Sequence, residues 1–192
     1  GGVASSFSAG KGFGSGIFSR GVEFGCLRIP TGQFMQMDAR RIPFIEEFDV
    51  ITAFDVLEHI EEDEVVLDNM YRGLKSGGGI LLTVPQHSWL WSQSDDYACH
   101  VRRYSAKELH EKVERAGFKI VRSTSFVSIL LPVMLFSRLR RKGDRKFDSK
   151  EEFSIPKPLN WLFEKLMQVE KILIRKGWSP SLGGSRMIVA KK

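Results

Sequence analysis

The amino-acid sequence predicts an α/β fold in which helices connect the strands of a mostly parallel sheet. Residues 48–54 form an apolar run that is typical of a buried parallel strand. Residues 63–74 follow with apolar side chains at helical spacing, and residues 80–84 form a second strand pattern. Because strand, helix and strand alternate, we expect a crossover helix between the two strands.

The N-terminal part of the chain has the weakest pattern. Glycine recurs at positions 10, 12, 14 and 16, and residues 21–29 are compatible with a short strand. The pattern becomes clear only from Asp38 onwards. Further along, residues 76–79 contain three glycines, which end the predicted helix because glycine tolerates the left-handed geometry of a helix cap.

A second helix is predicted from Ser105, because Glu108 lies three residues further on, as in a capping box. Its inner stripe consists of Leu109, Val113 and Ala116. Gly117 ends this helix, and residues 118–126 alternate as a strand does. Residues 185–192 contain the pattern of a last strand. The alternation of strands and helices therefore extends over most of the chain.

The segment 126–182 interrupts this alternation and is expected to form a helical insertion before the last strand. Residues 126–136 are apolar apart from Ser128, the basic run 138–142 follows, and residues 157–176 have helical spacing with one apolar face. The apolar run is too short to span a bilayer, but it could lie on an anionic membrane surface. The alternative is a hydrophobic lid that packs on the protein. Both interpretations favour an apolar substrate.

Length and composition favour a single domain over residues 1–192. The 192 residues are 42% hydrophobic, which is enough for a packed core, and no apolar run approaches the roughly 20 residues of a membrane span. Two cysteines exclude a disulfide framework and a four-cysteine zinc site. With no pattern of a secretory signal, a reducing, cytoplasmic location is expected.

The net charge of +6 has an uneven origin. Residues 126–182 contain twelve basic and six acidic residues, whereas residues 46–68 contain ten acidic residues and no lysine or arginine. A basic protein often binds nucleic acid or an anionic membrane. Here the basic surplus belongs to one segment, so a nucleic-acid partner is not expected and contact with a membrane surface stays open.

Three stretches in register resemble a known family. Residues 37–44, 48–60 and 71–79 are similar to class I S-adenosylmethionine-dependent methyltransferases, in the broad group that includes the quinone-biosynthesis methyltransferases. The resemblance covers roughly residues 10–126 and the final strand. It implies a Rossmann-like, seven-stranded, mostly parallel sheet with an antiparallel last strand, and a helical insertion between strands 6 and 7.

The resemblance implies S-adenosylmethionine as the cofactor, bound outside the carboxyl ends of the strands. The cofactor-binding residues that it implies are Gly12, Gly14, Gly16, Asp38, Ala39 and Asp55. The glycines resemble the loop after the first strand, where backbone approaches the methionine part, and Asp38 and Ala39 lie near the adenine in this family. The alternatives are a flexible tail for the glycines, a turn residue for Asp38 and a helix cap for Asp55.

The sequence departs from the family in its N-terminal part. Residues 16–38 are too few for the helix, strand and helix expected there, so one crossover unit is shortened or absent. The acidic residue that should hold the ribose hydroxyls is missing, since Leu27 or Arg28 stands near the expected place. Either the cofactor site is degenerate or part of the unit lies outside this sequence, and the well-formed later motifs favour the second explanation.

The loop 95–104 is the best candidate for catalysis. Methyl transfer depends on positioning, and a general base helps when the acceptor is a hydroxyl. His100 titrates in the useful range and is the predicted base, with His87 as second choice. The predicted substrate-binding residues are Arg102, Arg103 and Tyr104. The alternative is a loop that is held by salt bridges to the acidic stretch 46–68.

A metal ion is a further alternative, although we expect none. The spacing of Asp55, Glu58 and His59, with His100 downstream, resembles the metal ligands of small-RNA 3′-end methyltransferases. Many relatives carry the Leu-Glu-His run without a metal, so Glu58 and His59 are expected to begin a helix and to shape the floor of the pocket.

The sequence therefore predicts a methyltransferase that methylates oxygen or carbon of a small, hydrophobic acceptor. Two alternatives stay open, namely a non-catalytic binding module with this fold and a metal-assisted RNA methyltransferase. The expected location is cytoplasmic with peripheral membrane contact, and the oligomeric state is left open.

Overall fold

The structure is a computed structural model that describes residues 12–140 and 156–192, with backbone alone for residues 137–140. The described chain divides into two units, residues 1–44 and residues 45–192. Part of the predicted basic run, residues 141 and 142, lies outside the described residues. The single domain over residues 1–192 stays a prediction.

The first unit is a strand–helix–strand motif. Strand β1 (Phe13–Gly16) runs parallel to strand β2 (Gln33–Gln36), and helix α1 (Ser19–Arg28) connects them. The predicted short strand at 21–29 is wrong, because parallel neighbours need a crossover connection and these residues supply it. Leu27 and Arg28, which we placed near the end of a second strand, belong to this helix.

The glycines of the first unit make room for one aromatic ring. A Cβ atom at Gly14 or Gly25 would lie 2.5 Å from the ring of Phe34, and one at Gly32 would lie 2.8 Å from it. Small residues are therefore needed where strand, helix and turn close around this ring. The prediction of a glycine loop after the first strand is wrong, because Gly14 and Gly16 lie within β1 itself and Gly12 precedes it.

The connection between β2 and the next strand is short. Residues 37–47 contain a three-residue 3-10 turn (Ala39–Arg41) and no α-helix. The shortening of the N-terminal part relative to the family stays a prediction. The described residues contain six strands in two sheets, so the predicted seven-stranded sheet is not found among them.

The second unit contains a four-stranded sheet in the order β3-β4-β6-β5. Its strands are β3 (Phe48–Phe54), β4 (Leu74–Pro85), β5 (Lys119–Phe126) and β6 (Ser185–Lys191). Strands β3 and β4 are parallel, and β6 is antiparallel to both of its neighbours, which confirms the predicted antiparallel last strand.

The described residues of this unit form five helices: α2 (Asp63–Gly73), α3 (Gln93–Tyr97), α4 (Ala106–Arg115), α5 (Leu131–Arg140) and α6 (Lys157–Arg175). Helices α5 and α6 lie between the last two strands, so the predicted helical insertion is confirmed. Ser105 caps α4 by accepting from the backbone N–H of Glu108 at 3.1 Å, as predicted. Gly117 follows this helix with φ +95°, a geometry that side-chain-bearing residues rarely adopt.

The core of the second unit lies between β4, β6 and the helices α2 and α4. Its fully buried residues include Val66, Leu67, Leu82, Leu109, Val113 and Ile188. Strand β3, predicted to be buried, is the edge strand of this sheet, and of its residues only Ala53 is buried. The predicted helix-ending residues 76–79 belong to β4, which has an irregular register against β3 at this point.

No helix among the described residues has both the length and the apolar character needed to cross a bilayer.

Candidate active site

The carboxyl ends of β3 and β4 place two predicted site residues on one edge of the second unit. Asp55 follows β3, and His87 comes two residues after β4. The backbone N–H of Asp55 donates to the carbonyl of Thr83 at 3.0 Å, and the Thr83 hydroxyl donates to the Asp55 carboxylate at 3.2 Å. Asp55 caps no helix, because the 3-10 turn Leu57–His59 follows it and α2 begins only after Glu62.

Strained backbone accumulates at this edge. Asp55, His87 and Cys99 adopt φ values of 51°, 64° and 57°, three of the five left-handed residues other than glycine in the described chain. Each such residue costs on the order of 1–3 kcal/mol, and such residues cluster at functional sites. This strain supports a functional edge independently of the side chains.

His100 belongs to the loop after β4, and its ring lies between the carboxyl groups of Asp95 and Glu58. Its Nδ1 atom is 2.9 Å from Oδ1 of Asp95, and its Nε2 atom is 4.0 Å from Oε1 of Glu58. The ring of His59 meets the His100 ring edge-on, with centroids 4.7 Å apart. The His100 side chain keeps 16% of its surface exposed, so the ring is oriented by the protein and still reachable.

Asp95 is the residue that holds His100. Its Oδ1 atom accepts from Arg103 at 2.7 Å, and its Oδ2 atom accepts from the backbone N–H and the hydroxyl of Ser92 at 2.8 and 3.0 Å. Burial by itself would raise the pKa of Asp95, but the hydrogen bonds from Arg103, His100 and Ser92 hold it below its usual value. An ionised Asp95 favours the tautomer in which Nδ1 of His100 carries the proton.

Glu58 differs from Asp95 in having no side-chain hydrogen bond. Its side chain is fully buried, and among the described residues neither carboxyl oxygen has a hydrogen-bond partner. Burial raises the pKa of Glu58 to about 8, so the group is mostly neutral at pH 7. Burial, followed by the charge of His100, lowers the pKa of His59.

Glu58, His59 and His100 also form a set of possible metal ligands. One ligand atom from each lies within 4.8 Å of the others. A carboxylate and two imidazoles suit a divalent transition metal, and the buried Glu58 lacks any other partner. The donor set is therefore compatible with a cation, whereas the absence of a metal stays a prediction.

The side chains of Tyr104 and Arg102 form hydrogen bonds within the protein and do not face a substrate. Tyr104 is fully buried and donates its hydroxyl to Oδ2 of Asp63 at 2.6 Å. The same oxygen accepts from Arg102 at 2.7 Å and from Lys112 at 2.6 Å. The prediction that Tyr104 binds substrate is wrong for this structure, because no surface of it is accessible. For Arg102, the alternative of a salt bridge to the acidic stretch 46–68 describes the observed contact.

Arg103 is also engaged. Its guanidinium donates to Asp95 and to the carbonyl of Gln86 at 3.2 Å, and its side chain is almost fully buried. Its partner is not in the acidic stretch 46–68, as the alternative expected, but in its own loop. Arg103 therefore supports His100 through Asp95, and the structure leaves it no free face for an anionic substrate.

His87 keeps one ring nitrogen without a partner. The ring stacks on Trp89 with centroids 4.9 Å apart, and its buried Nε2 atom has no hydrogen-bond partner. Burial, followed by the charges of Arg186 and Arg103, lowers the pKa of His87. The lowered pKa favours the neutral ring near pH 7, and because its Nε2 atom is buried beside two arginines, His87 is a weaker candidate for the base than His100.

The first unit has a corresponding edge at the carboxyl ends of β1 and β2. The backbone N–H of Met37 donates to the carbonyl of Gly16 at 3.0 Å, so Gly16 lies beside the turn that contains Asp38 and Ala39. The Asp38 carboxylate accepts from the backbone N–H and the guanidinium of Arg40, both at 2.9 Å. These hydrogen bonds lower the pKa of Asp38, which is the turn residue that the alternative described.

Open space surrounds two of the three predicted glycines. Among the described residues, a Cβ atom at Gly12 or Gly16 would meet nothing within 4 Å, in contrast to Gly14. Gly16, at the carboxyl end of β1, thus remains a candidate for close approach of a ligand, whereas Gly14 is explained by packing and Gly12 lies before the strand, at its opposite end.

Sequence reasoning missed the role of Asp95. Its loop was identified, but the residue was given no function. The signal was present, because Ser92 and Asp95 have the spacing of a capping box, which fixes the carboxylate at the start of α3.

Residues 10–123 match a family described as "Methyltransferase domain". Among curated proteins, the chain is similar to phosphoethanolamine N-methyltransferase 2 of Caenorhabditis elegans, with 27% identity over 142 residues. The match covers 71% of this chain but 29% of that protein, so the chain corresponds to less than a third of the relative.

Solved structures show the same fold. Phosphoethanolamine N-methyltransferase 2 of Haemonchus contortus, in complex with phosphomonomethylethanolamine and S-adenosylhomocysteine, matches with a TM-score of 0.62 and 19% identity, over 98% of this chain and 45% of that one. An S-adenosylmethionine-dependent methyltransferase of Mesorhizobium loti matches with a TM-score of 0.60 and 13% identity, over 98% and 84% of the two chains.

Proposed function

The chain belongs to the methyltransferase domain family, and from that premise we propose that it transfers the methyl group of S-adenosylmethionine to oxygen or carbon of a small, hydrophobic acceptor. The observation that carries the proposal is the edge formed by β3 and β4, where an oriented imidazole stands beside strained backbone. The noncatalytic module is the weaker interpretation, because a buried carboxylate that orients an exposed imidazole has a use in proton transfer.

S-adenosylmethionine supplies an electrophilic methyl group on a sulfonium. In the first unit, the residues proposed to hold it are Gly16, Asp38 and Ala39, at the carboxyl end of β1 and in the turn after β2, where a Cβ atom at Gly16 would meet no described atom within 4 Å. Gly12 precedes β1 and does not lie at this edge. Asp55, at the carboxyl end of β3, is the corresponding candidate in the second unit. Arg40 occupies the Asp38 carboxylate, so the adenine amine would have to share that group with the guanidinium.

His100 is the proposed general base. The Asp95 carboxylate accepts a hydrogen bond from the Nδ1–H group of His100, which leaves the Nε2 lone pair available for a proton from an acceptor hydroxyl. The resulting imidazolium is stabilised by the ionised Asp95, which Arg103 and Ser92 hold in place. His87, with its unpartnered Nε2, is the second candidate.

The loop after β4 supports an apolar acceptor. Its exposed aromatic residues are Trp89, Trp91 and Tyr97. Phosphoethanolamine, by contrast, requires cationic side chains for its phosphate, and Arg102 and Arg103 are both engaged with carboxylates. We also propose a cytoplasmic location with contact to a membrane surface, where apolar acceptors accumulate.

A metal-assisted reaction is the second candidate function. The specific observation is the cluster of Glu58, His59 and His100 with an unpartnered carboxyl group. Activity that disappears in chelator and returns with a divalent cation would favour it over the metal-free reaction.

Calorimetry with S-adenosylmethionine and S-adenosylhomocysteine tests the cofactor, and a radiolabelled methyl donor with a panel of phenols, quinols and lipids tests transfer. We expect binding that weakens in Asp38→Ala and transfer that is lost in His100→Ala. Binding without transfer to any acceptor would favour the noncatalytic module, and no binding would overturn the proposal.

A further inference from the structure

Helix α6 packs through a narrow stripe and leaves most of its surface uncovered. Its half-buried residues are Phe163, Leu166, Met167 and Ile174, and Glu170 is its one buried residue. The large apolar residues that remain exposed on it are Leu159, Trp161, Leu162, Val169, Ile172 and Leu173. Trp161 and Ile172 keep 59% and 53% of their surface. An amphipathic helix of a globular protein normally buries such residues. An exposed apolar face of this kind therefore indicates a surface that binds a partner.

The helix is nevertheless fixed firmly to the unit. The Glu170 carboxylate accepts from the backbone N–H of Ser128 at 3.0 Å and from that of Ile129 at 2.9 Å. The guanidinium of Arg122 donates to the carbonyl of Ile174. Because these anchors lie in the C-terminal half of the helix, the exposed apolar face is held in one orientation rather than being a frayed end.

The charges around this face have one sign. The basic residues of α6 and its C-cap are Lys157, Lys165, Lys171, Arg175 and Lys176, against the acidic residues Glu164 and Glu170. Glu170 is buried in its anchoring contact, so one acidic side chain faces solvent among five basic ones. Within the described part of the chain, Lys171, Arg175 and Lys176 form no ion pair. The exposed surface is therefore both apolar and positively charged.

We propose that α6 docks in the plane of an anionic membrane surface, with its exposed apolar residues among the lipid chains and its basic residues at the headgroups. The 19-residue helix is about 28 Å long, which suits a helix that lies in the interface. Trp161, and Trp178 just beyond the helix, are the aromatic type that prefers this layer. The basic residues near such a surface add electrostatic attraction to the anionic headgroups.

The docking surface differs from the one that the sequence indicated. The apolar run 126–136 is divided in the structure, since Phe126 ends β5 and Leu131 is buried. Val133 and Phe136 of this run stay exposed, but more of the exposed large apolar residues lie on α6, whose sequence is interrupted by charges and therefore has the pattern of an ordinary packed helix.

Charge favours a membrane over a second copy of the chain. A twofold contact through this face would set the same basic residues of both copies against each other. The proposal rests on the proposed function for its purpose, delivery of an apolar acceptor, but the docking step itself needs neither cofactor nor acceptor.

Co-sedimentation of the full chain with phosphatidylcholine vesicles, with and without phosphatidylserine, tests the proposal. We expect sedimentation with the anionic vesicles, weakened by salt, and at least about tenfold less with the neutral ones. Val169→Glu on α6 should reduce anionic-vesicle binding about tenfold or more. Val65→Glu is the matched control, because Val65 is an equally exposed valine on α2 (45% against 49%). Circular dichroism verifies that both variants fold.

Three results would overturn the proposal: no sedimentation of the wild type with anionic vesicles, an equal loss in both variants, or a wild-type dimer in light scattering that Val169→Glu dissociates. Calorimetry with S-adenosylmethionine on the same protein separates the two proposals. Cofactor binding without vesicle binding removes the docking alone, and vesicle binding without cofactor binding removes the proposed function alone.

Discussion

The two carboxyl-end edges of this protein are built in different ways. In the first unit, Asp38 is held by Arg40, two residues away, and both side chains are partly exposed. In the second unit, Asp95 and Asp63 are buried; Asp95 binds three side chains of its own loop, and Asp63 joins α2 to Arg102, Tyr104 and Lys112 of α4. A local ion pair in water contributes little, whereas a buried network is costly to break. The second edge is therefore rigid, and the first is adjustable.

The difference between the two edges should have its largest effect on stability at Asp63. Replacing it with asparagine leaves Arg102 and Lys112 without their buried counter-charge, and we expect a loss of about 3–5 kcal/mol in the free energy of unfolding. Asp49→Asn is the control, because Asp49 pairs with Lys75 at the surface and its loss should cost less than about 0.5 kcal/mol. Urea denaturation measures both. Equal losses would show that the network is no stronger than a surface pair.

The substitution Asp95→Asn tests whether Asp95 orients His100 for catalysis. We expect kcat to fall about a hundredfold, because His100 loses the group that fixes its tautomer and stabilises its charged form. Asp96→Asn changes the neighbouring residue, which bonds to Trp91 instead, and should leave kcat nearly unchanged. Steady-state kinetics across pH, with a check of folding, distinguishes the two. An unaltered pH profile in Asp95→Asn would contradict the role given to His100.

Substitutions at two glycines of the first unit distinguish a role in packing from a role in ligand binding. Gly14→Ala should destabilise this unit by about 1–3 kcal/mol, because the new methyl group meets the Phe34 ring. Gly16→Ala meets nothing and should leave stability unchanged while weakening S-adenosylmethionine binding. Hydrogen exchange reports the first effect and calorimetry the second. If S-adenosylmethionine binding is weakened in neither variant, Gly16 does not belong to the proposed cofactor site.

A further expected effect is the pH dependence of stability that Glu58 imposes. Its pKa is raised to about 8 from an unfolded value of 4.5, so the folded protein keeps a proton that the unfolded chain releases. Stability should therefore fall as pH rises from about 4.5 to 8, with a slope approaching about 1.4 kcal/mol per pH unit. Glu58→Gln should lack this contribution. Denaturation in chelator measures it without metal, and identical slopes in both proteins would show that Glu58 is ionised when folded.

Much of the fold was predictable because it follows from local pattern. The strand 48–54, the helix from Ser105, the antiparallel last strand and the insertion before it are all confirmed. The short strand at 21–29 was wrong because its apolar residues permit either structure, and only pairing of β1 with β2 requires a crossover helix there.

The candidate site was predicted less completely. His100 and its loop were identified from the sequence, but the residues that orient and bury the ring lie at different distances along the chain. Glu58 and Asp95 contact the same imidazole from opposite sides, and no spacing rule predicts that. Tyr104 failed as a substrate residue because its burial depends on Asp63, 41 residues earlier.

By itself, the sequence determined the order of strands and helices, the family and the loop that carries His100, because periodicity, caps and motifs are short-range properties. Only the tertiary structure decided which charged groups are buried together, which glycine faces open space, and that α6 keeps an apolar face uncovered. Those features depend on which surfaces the fold brings into contact. Periodicity can be read from residues that are close in the sequence, whereas burial depends on residues that are distant in it.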